Sequence, residues 1–198
     1  MRKLLVFLLG CLGLNACTTE VDQSTLITDD VGVVHRTIPY TQDTRGRREF
    51  PLELDATGRK RIIFDPKLAA WAAYDAEGHR VMTGAASGGK DYCEDAGAPC
   101  RTATGRFHIY NKRGAECRSG EYPVETTGGA KMPYCMYFFR GFTIHAAYEV
   151  PTHNTSHGCI RVWPSAAKWL NEQFVDIGTE VTVLSYDHED GDGAPLTT

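Results

Sequence analysis

A mainly β, sandwich-like domain with one main helix is the fold class this sequence predicts, on three observations. Short apolar or alternating runs, separated by Gly, Pro and Asp clusters, recur from Arg61 to Leu184. A single stretch, starting at Pro164, repeats its apolar residues at helical spacing. The length of 198 residues with 42% hydrophobic content suits one buried core with extensions, and excludes both a polytopic membrane protein and a fully disordered chain.

The elements follow in order. Arg61-Ile62-Ile63-Phe64-Asp65 is the first strand, stopped by Pro66. Leu68 to Tyr74 is rich in alanine, which favours helix. However, Asp75-Ala76-Glu77-Gly78 reads as a turn and Arg80 to Ala85 as a further short run, so a hairpin fits the pair better. A loop from Ser87 carries Cys93 and Cys100, and Phe107-His108-Ile109-Tyr110 is a strand by alternation. A second long loop holds Cys117, Pro123, Gly128-Gly129 and Pro133. Met136 to Phe139 and Phe142 to Ile144 are strands around a tight turn at Arg140-Gly141. Pro164 is suited to the first position of a helix. Trp163, Ala167, Leu170 and Phe174 share its apolar face, Gly178 ends it, and Glu180 to Leu184 is the closing strand.

The two ends differ from this core. Arg2-Lys3 and the apolar run Leu4 to Leu9 have the layout of an export signal, and the run is too short to span a bilayer. It leads to Leu14-Asn15-Ala16-Cys17, which resembles a bacterial lipobox, with cleavage before Cys17 and lipid on its thiol; Cys11 is a poorer candidate because the apolar run before it is shorter. The expected organisation is a lipoprotein signal peptide over 1–16, a tether over 17–57, a catalytic domain over 58–186 and an acidic, disordered tail over 187–198. The expected location is the periplasmic face of a bacterial envelope, anchored through lipid. Thr18 stands where an aspartate favours inner-membrane retention, so the outer membrane is preferred. Loss of residues 1–16 removes Arg2 and Lys3 and no acid, taking the net charge from −4 to −6. The arginines at 45–48 and the basic residues at 59–61 are separated by the acids Glu49, Glu53 and Asp55 and form no basic patch with interleaved aromatics, so nucleic acid is not an expected partner.

An exported chain changes the meaning of its cysteines. Beyond Cys11 and Cys17 there are five, of which four can pair in an oxidising compartment and one is left over. Locality favours Cys93–Cys100 and Cys117–Cys135 among the three possible pairings. These four contain no Cys-x-x-Cys pair, which argues against a structural zinc. Cys159 is then the cysteine with a task.

Its surroundings support that. Ser156-His157-Gly158-Cys159-Ile160-Arg161 places a thiol after a glycine and among basic side chains, between an upstream strand and a downstream helix. Gly141 to His145 delivers a second histidine. A thiol becomes a strong nucleophile when a base removes its proton or nearby positive charge lowers its pKa, and a helix amino terminus close by would help. Main-chain N–H groups near Gly158 and Cys159 are the expected oxyanion hole. His145, His153, His157 and Cys159 have ligand types that suit zinc, but the glycine and serine of the motif are better explained by a nucleophile loop; no metal and no organic cofactor is expected.

His145, ten intervening residues and the Ser156–Arg161 motif resemble the L,D-transpeptidases, the YkuD-like domain of bacterial cell walls, and the resemblance extends over roughly residues 59 to 185. Thr102-Ala103-Thr104-Gly105-Arg106-Phe107 resembles the family's Thr-Pro-Thr-Gly-x-Phe, with Ala103 in place of proline. The resemblance implies Cys159 as nucleophile and His145 as general base, oriented by the backbone carbonyl of the next residue, here Ala146. It implies that Ser156, His157 and Gly158 shape the site or bind substrate; His153 matches nothing specific in the family and is expected in a lid. Arg161 is expected either to bind a stem-peptide carboxylate or to form a structural ion pair. The implied activity is acylation of Cys159 by a tetrapeptide stem of peptidoglycan, expelling D-alanine, followed by transfer to an amine of another stem or of a lipoprotein. Carbapenem sensitivity and action as a monomer are further expectations. The alternatives are a hydrolase of the same fold, acting as an L,D-endopeptidase or amidase, and a non-catalytic wall-binding lipoprotein. Replacement of Cys159 or His145 would have favoured the last, and both are present.

Overall fold

The computed structural model describes residues 26–28, 34–36 and 44–187. The export signal, Cys11, Cys17 and residues 188–198 of the acidic tail lie outside the described residues. No helix among the described residues is long and apolar enough to cross a membrane.

Two short strands, β1 (Leu26–Thr28) and β2 (Val34–Arg36), pair antiparallel as a ribbon. The main sheet begins with the meander β3 (Arg61–Asp65), β4 (Ala70–Tyr74) and β5 (Arg80–Ser87). A small hairpin follows, β6 (Tyr92–Cys93) with β7 (Ala98–Pro99). Next come β8 (Gly105–His108), β9 (Asn111–Lys112), β10 (Met136–Phe139) and β11 (Phe142–Ala146). The chain ends with β12 (Ile160–Val162), the helix α1 (Pro164–Trp169) and β13 (Glu180–Val183). Nine strands form one curled sheet in the order β8-β13-β3-β4-β5-β12-β11-β10-β9, so the fold is mainly β with a single short helix, as the sequence predicts.

The alanine-rich run 70–74 is a strand because both of its faces are buried. Trp71 and Ala73 join Ile62 and Phe64 in the main core, while Ala70, Ala72 and Tyr74 join Ile63 in a second cluster on the opposite face. Small side chains let two layers pack closely on one strand, which outweighs alanine's helical preference. That second face is covered by residues the sequence reading assigned to the tether. Phe50 is 3% exposed, the Tyr74 hydroxyl donates to Pro51 O at 2.9 Å, and the Leu54 N–H donates to Gly78 O at 2.9 Å. Residues 44–57, expected as part of the tether, are instead packed on the domain. Phe50 and Leu54 anchor residues 44–57 because the outer face of β3 and β4 is apolar and needs cover.

The helix is also shorter than its apolar spacing suggests. α1 gives way at Leu170 to a wider π turn over Leu170–Phe174, where the Val175 N–H donates to Leu170 O at 2.7 Å. That turn swings Phe174 onto the core and stacks it on Trp169 at 5.2 Å. Strands β11 and β12 run parallel with Ile144 opposite Ile160 and His145 opposite Arg161. Parallel neighbours need a crossover connection; here residues 147–159 supply it, and this brings Cys159 back beside β11.

Candidate active site

Side-chain alternation builds the site. On β11 and β12, Ile144, Ala146, Ile160 and Val162 face the main core. Thr143, His145 and Arg161 therefore share the opposite face. Cys159, one residue before β12, falls opposite Thr143 by continuation of the register, which makes it the diagonal neighbour of His145. His145 is 6% exposed and the Cys159 thiol is half-buried. Cys159 thus leads into a strand, with β12 between it and α1. The expected contribution of a helix amino terminus is absent at this thiol, because α1 starts at Pro164, five residues further on, and follows the strand.

Nδ1 of His145 lies 2.8 Å from Ala146 O. A carbonyl oxygen only accepts, so Nδ1 carries the proton and Nε2 keeps its lone pair. This is the orientation expected of a base.

The loop before Cys159 is held by contacts that only small residues permit. Gly158 has φ +119°, and a Cβ there would overlap the Phe142 ring. Its N–H donates to Ser156 Oγ at 3.0 Å, and Ser156 Oγ donates to Cys159 O at 2.5 Å. The Gly158 N–H expected to line an oxyanion hole is therefore engaged within the loop, and Ser156 acts as its brace. Thr102 supports the loop from below: its hydroxyl donates to Gly158 O at 2.7 Å and accepts from the Gly89 N–H at 3.0 Å. Tyr186 completes the brace, its hydroxyl accepting from the Thr102 N–H at 3.0 Å and donating to Gly89 O at 2.8 Å. Thr102 opens the motif whose resemblance was noted above, whereas nothing local marks Tyr186. Removing the Thr102 hydroxyl with Thr102→Val leaves two polar groups of this brace, Gly158 O and the Gly89 N–H, short of a partner. The expected result is a loss of about 1–3 kcal/mol in a denaturant titration.

Both disulfides form in the favoured pairing, Cys93–Cys100 and Cys117–Cys135. They staple loops on either side of the motif, and His157 joins the two. Its Nε2 donates to an Asp95 carboxylate oxygen at 2.7 Å within the first, and its ring lies 4.5 Å from that of Tyr122 in the second. Cys93, Asp95 and His157 bring sulfur, oxygen and nitrogen within 4.8 Å of one another, but Cys93 is committed to its disulfide and cannot serve as a thiolate ligand. Asp95 and Tyr122 escaped sequence reasoning because their contacts cross between separate loops. The Cys117–Cys135 bond, with Met132 and Tyr137, packs against Cys159. The loop carrying His153 is tied down: Ser87 Oγ donates to His153 O at 2.8 Å, Gly88 N–H to Asn154 Oδ1 at 2.9 Å, and Arg45 to Val150 O and Pro151 O at 3.1 Å.

The hydrogen bond recorded for Arg161 is to Thr155 Oγ1 at 3.5 Å, and no carboxylate among the described residues pairs with it. The structural ion pair weighed for this residue does not form there. A guanidinium without a carboxylate partner among the described residues thus acts on the Cys159 thiol.

Burial dominates the electrostatics. It lowers the His145 pKa from 6.5 to about 4, opposed by the Ala146 carbonyl and reinforced by the Arg161 charge. Burial likewise pushes the Cys159 thiol up, against the pull of the Thr143 N–H and hydroxyl and of Arg161. At neutral pH the pair is a neutral thiol beside a neutral imidazole. Stability should respond to pH through His145. Between about pH 6.5 and pH 4 the unfolded chain binds a proton on this histidine that the folded chain refuses. Stability due to this group is thus full above the unfolded pKa and falls by about 3 kcal/mol on acidification to the folded one. Urea unfolding at pH 4 and pH 7 should show that loss, and His145→Gln should remove it from the pH dependence.

Residues 59–183 match the YkuD family, the L,D-transpeptidase catalytic domain. An L,D-transpeptidase of Xylanimonas cellulosilytica is 26% identical with a TM-score of 0.57, over 69% of this chain and 66% of that one. An L,D-transpeptidase of Enterococcus faecium is 24% identical with a TM-score of 0.52, over 64% of this chain and 50% of that one. L,D-transpeptidase 3 of Mycobacterium tuberculosis, solved with a faropenem-derived adduct, is 21% identical with a TM-score of 0.53, over 64% and 60%. The last two show likeness of fold. This chain spans between half and two thirds of the length of these solved chains. Among curated proteins none gives a significant match.

Proposed function

Because this chain belongs to the YkuD family of L,D-transpeptidase catalytic domains, we propose that it is a peptidoglycan L,D-transpeptidase acting through a Cys159 thioester. The observation that carries this reading is the diagonal placement of His145 and Cys159 across β11 and β12, with Nδ1 of His145 tied to Ala146 O. Nε2 takes the thiol proton as Sγ attacks the carbonyl of the L-centre of diaminopimelate in a tetrapeptide stem. The tetrahedral intermediate collapses to a thioester, and the imidazolium returns the proton to the departing D-alanine amine. An amine of a second stem, or of a lipoprotein, then attacks the thioester, and its proton restores the thiol. The stem carries carboxylates, and Arg161 supplies the charge that recognises one of them. Residues 1–16 and Cys17 fit an exported, lipid-anchored protein working from the membrane on the wall, with the outer membrane preferred.

The test is mass spectrometry of the purified protein incubated with tetrapeptide-containing muropeptides, beside a Cys159→Ala control. Cross-linked dimers with loss of D-alanine, absent in the control, are the expected products. Uncoupled shorter stems would make the protein a hydrolase instead, and unchanged substrate with both proteins would leave a wall-binding protein. Arg161 has its own test. Arg161→Met is expected to lower kcat/KM by about tenfold or more on stems with a free carboxylate, and to leave amidated stems much less affected. Equal loss on both substrates would assign Arg161 to the scaffold.

A further inference from the structure

The face that carries Cys159 contains one polar group with no evident structural purpose. Thr143 lies in β11 with 0% exposure, and its hydroxyl has no hydrogen-bond partner. Valine has the same shape, suits a strand equally well and would occupy the space without burying an unpaired hydroxyl. Other buried hydroxyls nearby are used: Thr102 bonds both Gly158 and Gly89, and Ser87 bonds His153. Tyr137, opposite Thr143 on β10, directs its own hydroxyl to the Cys117 sulfur at 3.7 Å. Continuation of the β11–β12 register places Thr143 across from Cys159, and the Thr143 hydroxyl lies close enough to act on the Cys159 sulfur.

We infer that Thr143 is a catalytic residue whose hydroxyl is held unpaired in the resting enzyme and donates to the Cys159 sulfur once that sulfur carries negative charge. As Nε2 of His145 removes the thiol proton, the sulfur changes from a poor acceptor to a strong one. A hydroxyl already stripped of water then gains a charge-assisted bond without any reorganisation. The bond is made in the charged state and not in the neutral one, so it lowers the barrier without stabilising the resting thiol. The Thr143 main-chain N–H faces the same atom and adds to the effect. Other charged or titratable groups around the thiol are His145 on β11, Arg161 on β12, Tyr137 on β10 and Glu121 with Tyr122 in the disulfide-bound loop. This deepens the proposed function, yet concerns the sulfur itself, so it is tested without a substrate.

The experiment is alkylation of the full-length protein with iodoacetamide across a pH series, read at Cys159 by peptide mass spectrometry. Thr143→Val is expected to raise the midpoint by about one pH unit and to slow alkylation at pH 7 by about tenfold. Thr143→Ser should stay within about threefold of wild type. A valine variant that folds normally by circular dichroism and keeps the wild-type midpoint overturns the proposal. Should valine fail to fold, Thr143→Ala is read in the same way. If Cys159 shows the expected shift but the wild type forms no cross-links, the transpeptidase reading fails while this assignment stands.

Discussion

Replacing His145 by glutamine is expected to slow acylation of Cys159 by about 10²–10⁴-fold, the usual contribution of a positioned base. The thiol cannot ionise unaided at neutral pH, because burial pushes its pKa up. Glutamine can keep a hydrogen bond to Ala146 O through its amide, and so can fill much of the space without offering a basic nitrogen at Nε2. The measurement is the rate of covalent adduct formation with a carbapenem, followed by intact-protein mass spectrometry, with substrate cross-linking in parallel. A glutamine variant that acylates at the wild-type rate would remove His145 from the chemistry and move the base elsewhere. The pH series separates the two roles of this residue. Loss of the acid-induced destabilisation with retained acylation would mark a buried histidine of structural value alone.

Gly158→Ala should be the most damaging substitution in the nucleophile loop. A side chain at φ +119° is strained by about 1–3 kcal/mol, and overlap of its Cβ with the Phe142 ring adds about 1–3 kcal/mol. Phe142 cannot retreat freely, since it packs against Phe138 and Phe139 at 6.4 and 6.0 Å. A total of about 3 kcal/mol corresponds to a fall in Tm of roughly 6–12 °C for a chain of this size. Moving Gly158 also moves Cys159 relative to His145, so turnover should fall more than stability alone predicts. Calorimetry and carbapenem acylation on the same sample measure both effects. A variant with unchanged Tm and acylation would mean that the loop relaxes around the new methyl group, and the tight-turn account of this glycine would fail.

Much of the site was legible along the chain because its chemistry is local in sequence. Cys159, Gly158 and Ser156 lie within four positions of one another, and the odd cysteine left after pairing singled out Cys159 before any geometry was available. The two disulfides were also readable, since each closes a short loop. The brace was not. Thr102, Gly89 and Tyr186 come together only because β5, the hairpin loop and the end of β13 meet under the motif. Asp95 and Tyr122 meet at His157 for a similar reason.

The sequence by itself determined the mainly β class, the hairpin at 70–87, the helix start at Pro164 and the Cys159–His145 pair, because alternation, turn residues and motif spacing are properties of neighbours along the chain. Tertiary structure alone decided that residues 44–57 pack on the domain, since Phe50 is recruited by an apolar face that exists only after β3 and β4 have paired. It alone decided the electrostatic state of the pair, because burial pushes the thiol up and the imidazole down, and burial is a property of the packed sheet. It also left Arg161 without a carboxylate partner among the described residues, for whether a cation has a carboxylate beside it depends on which distant segments fold against it.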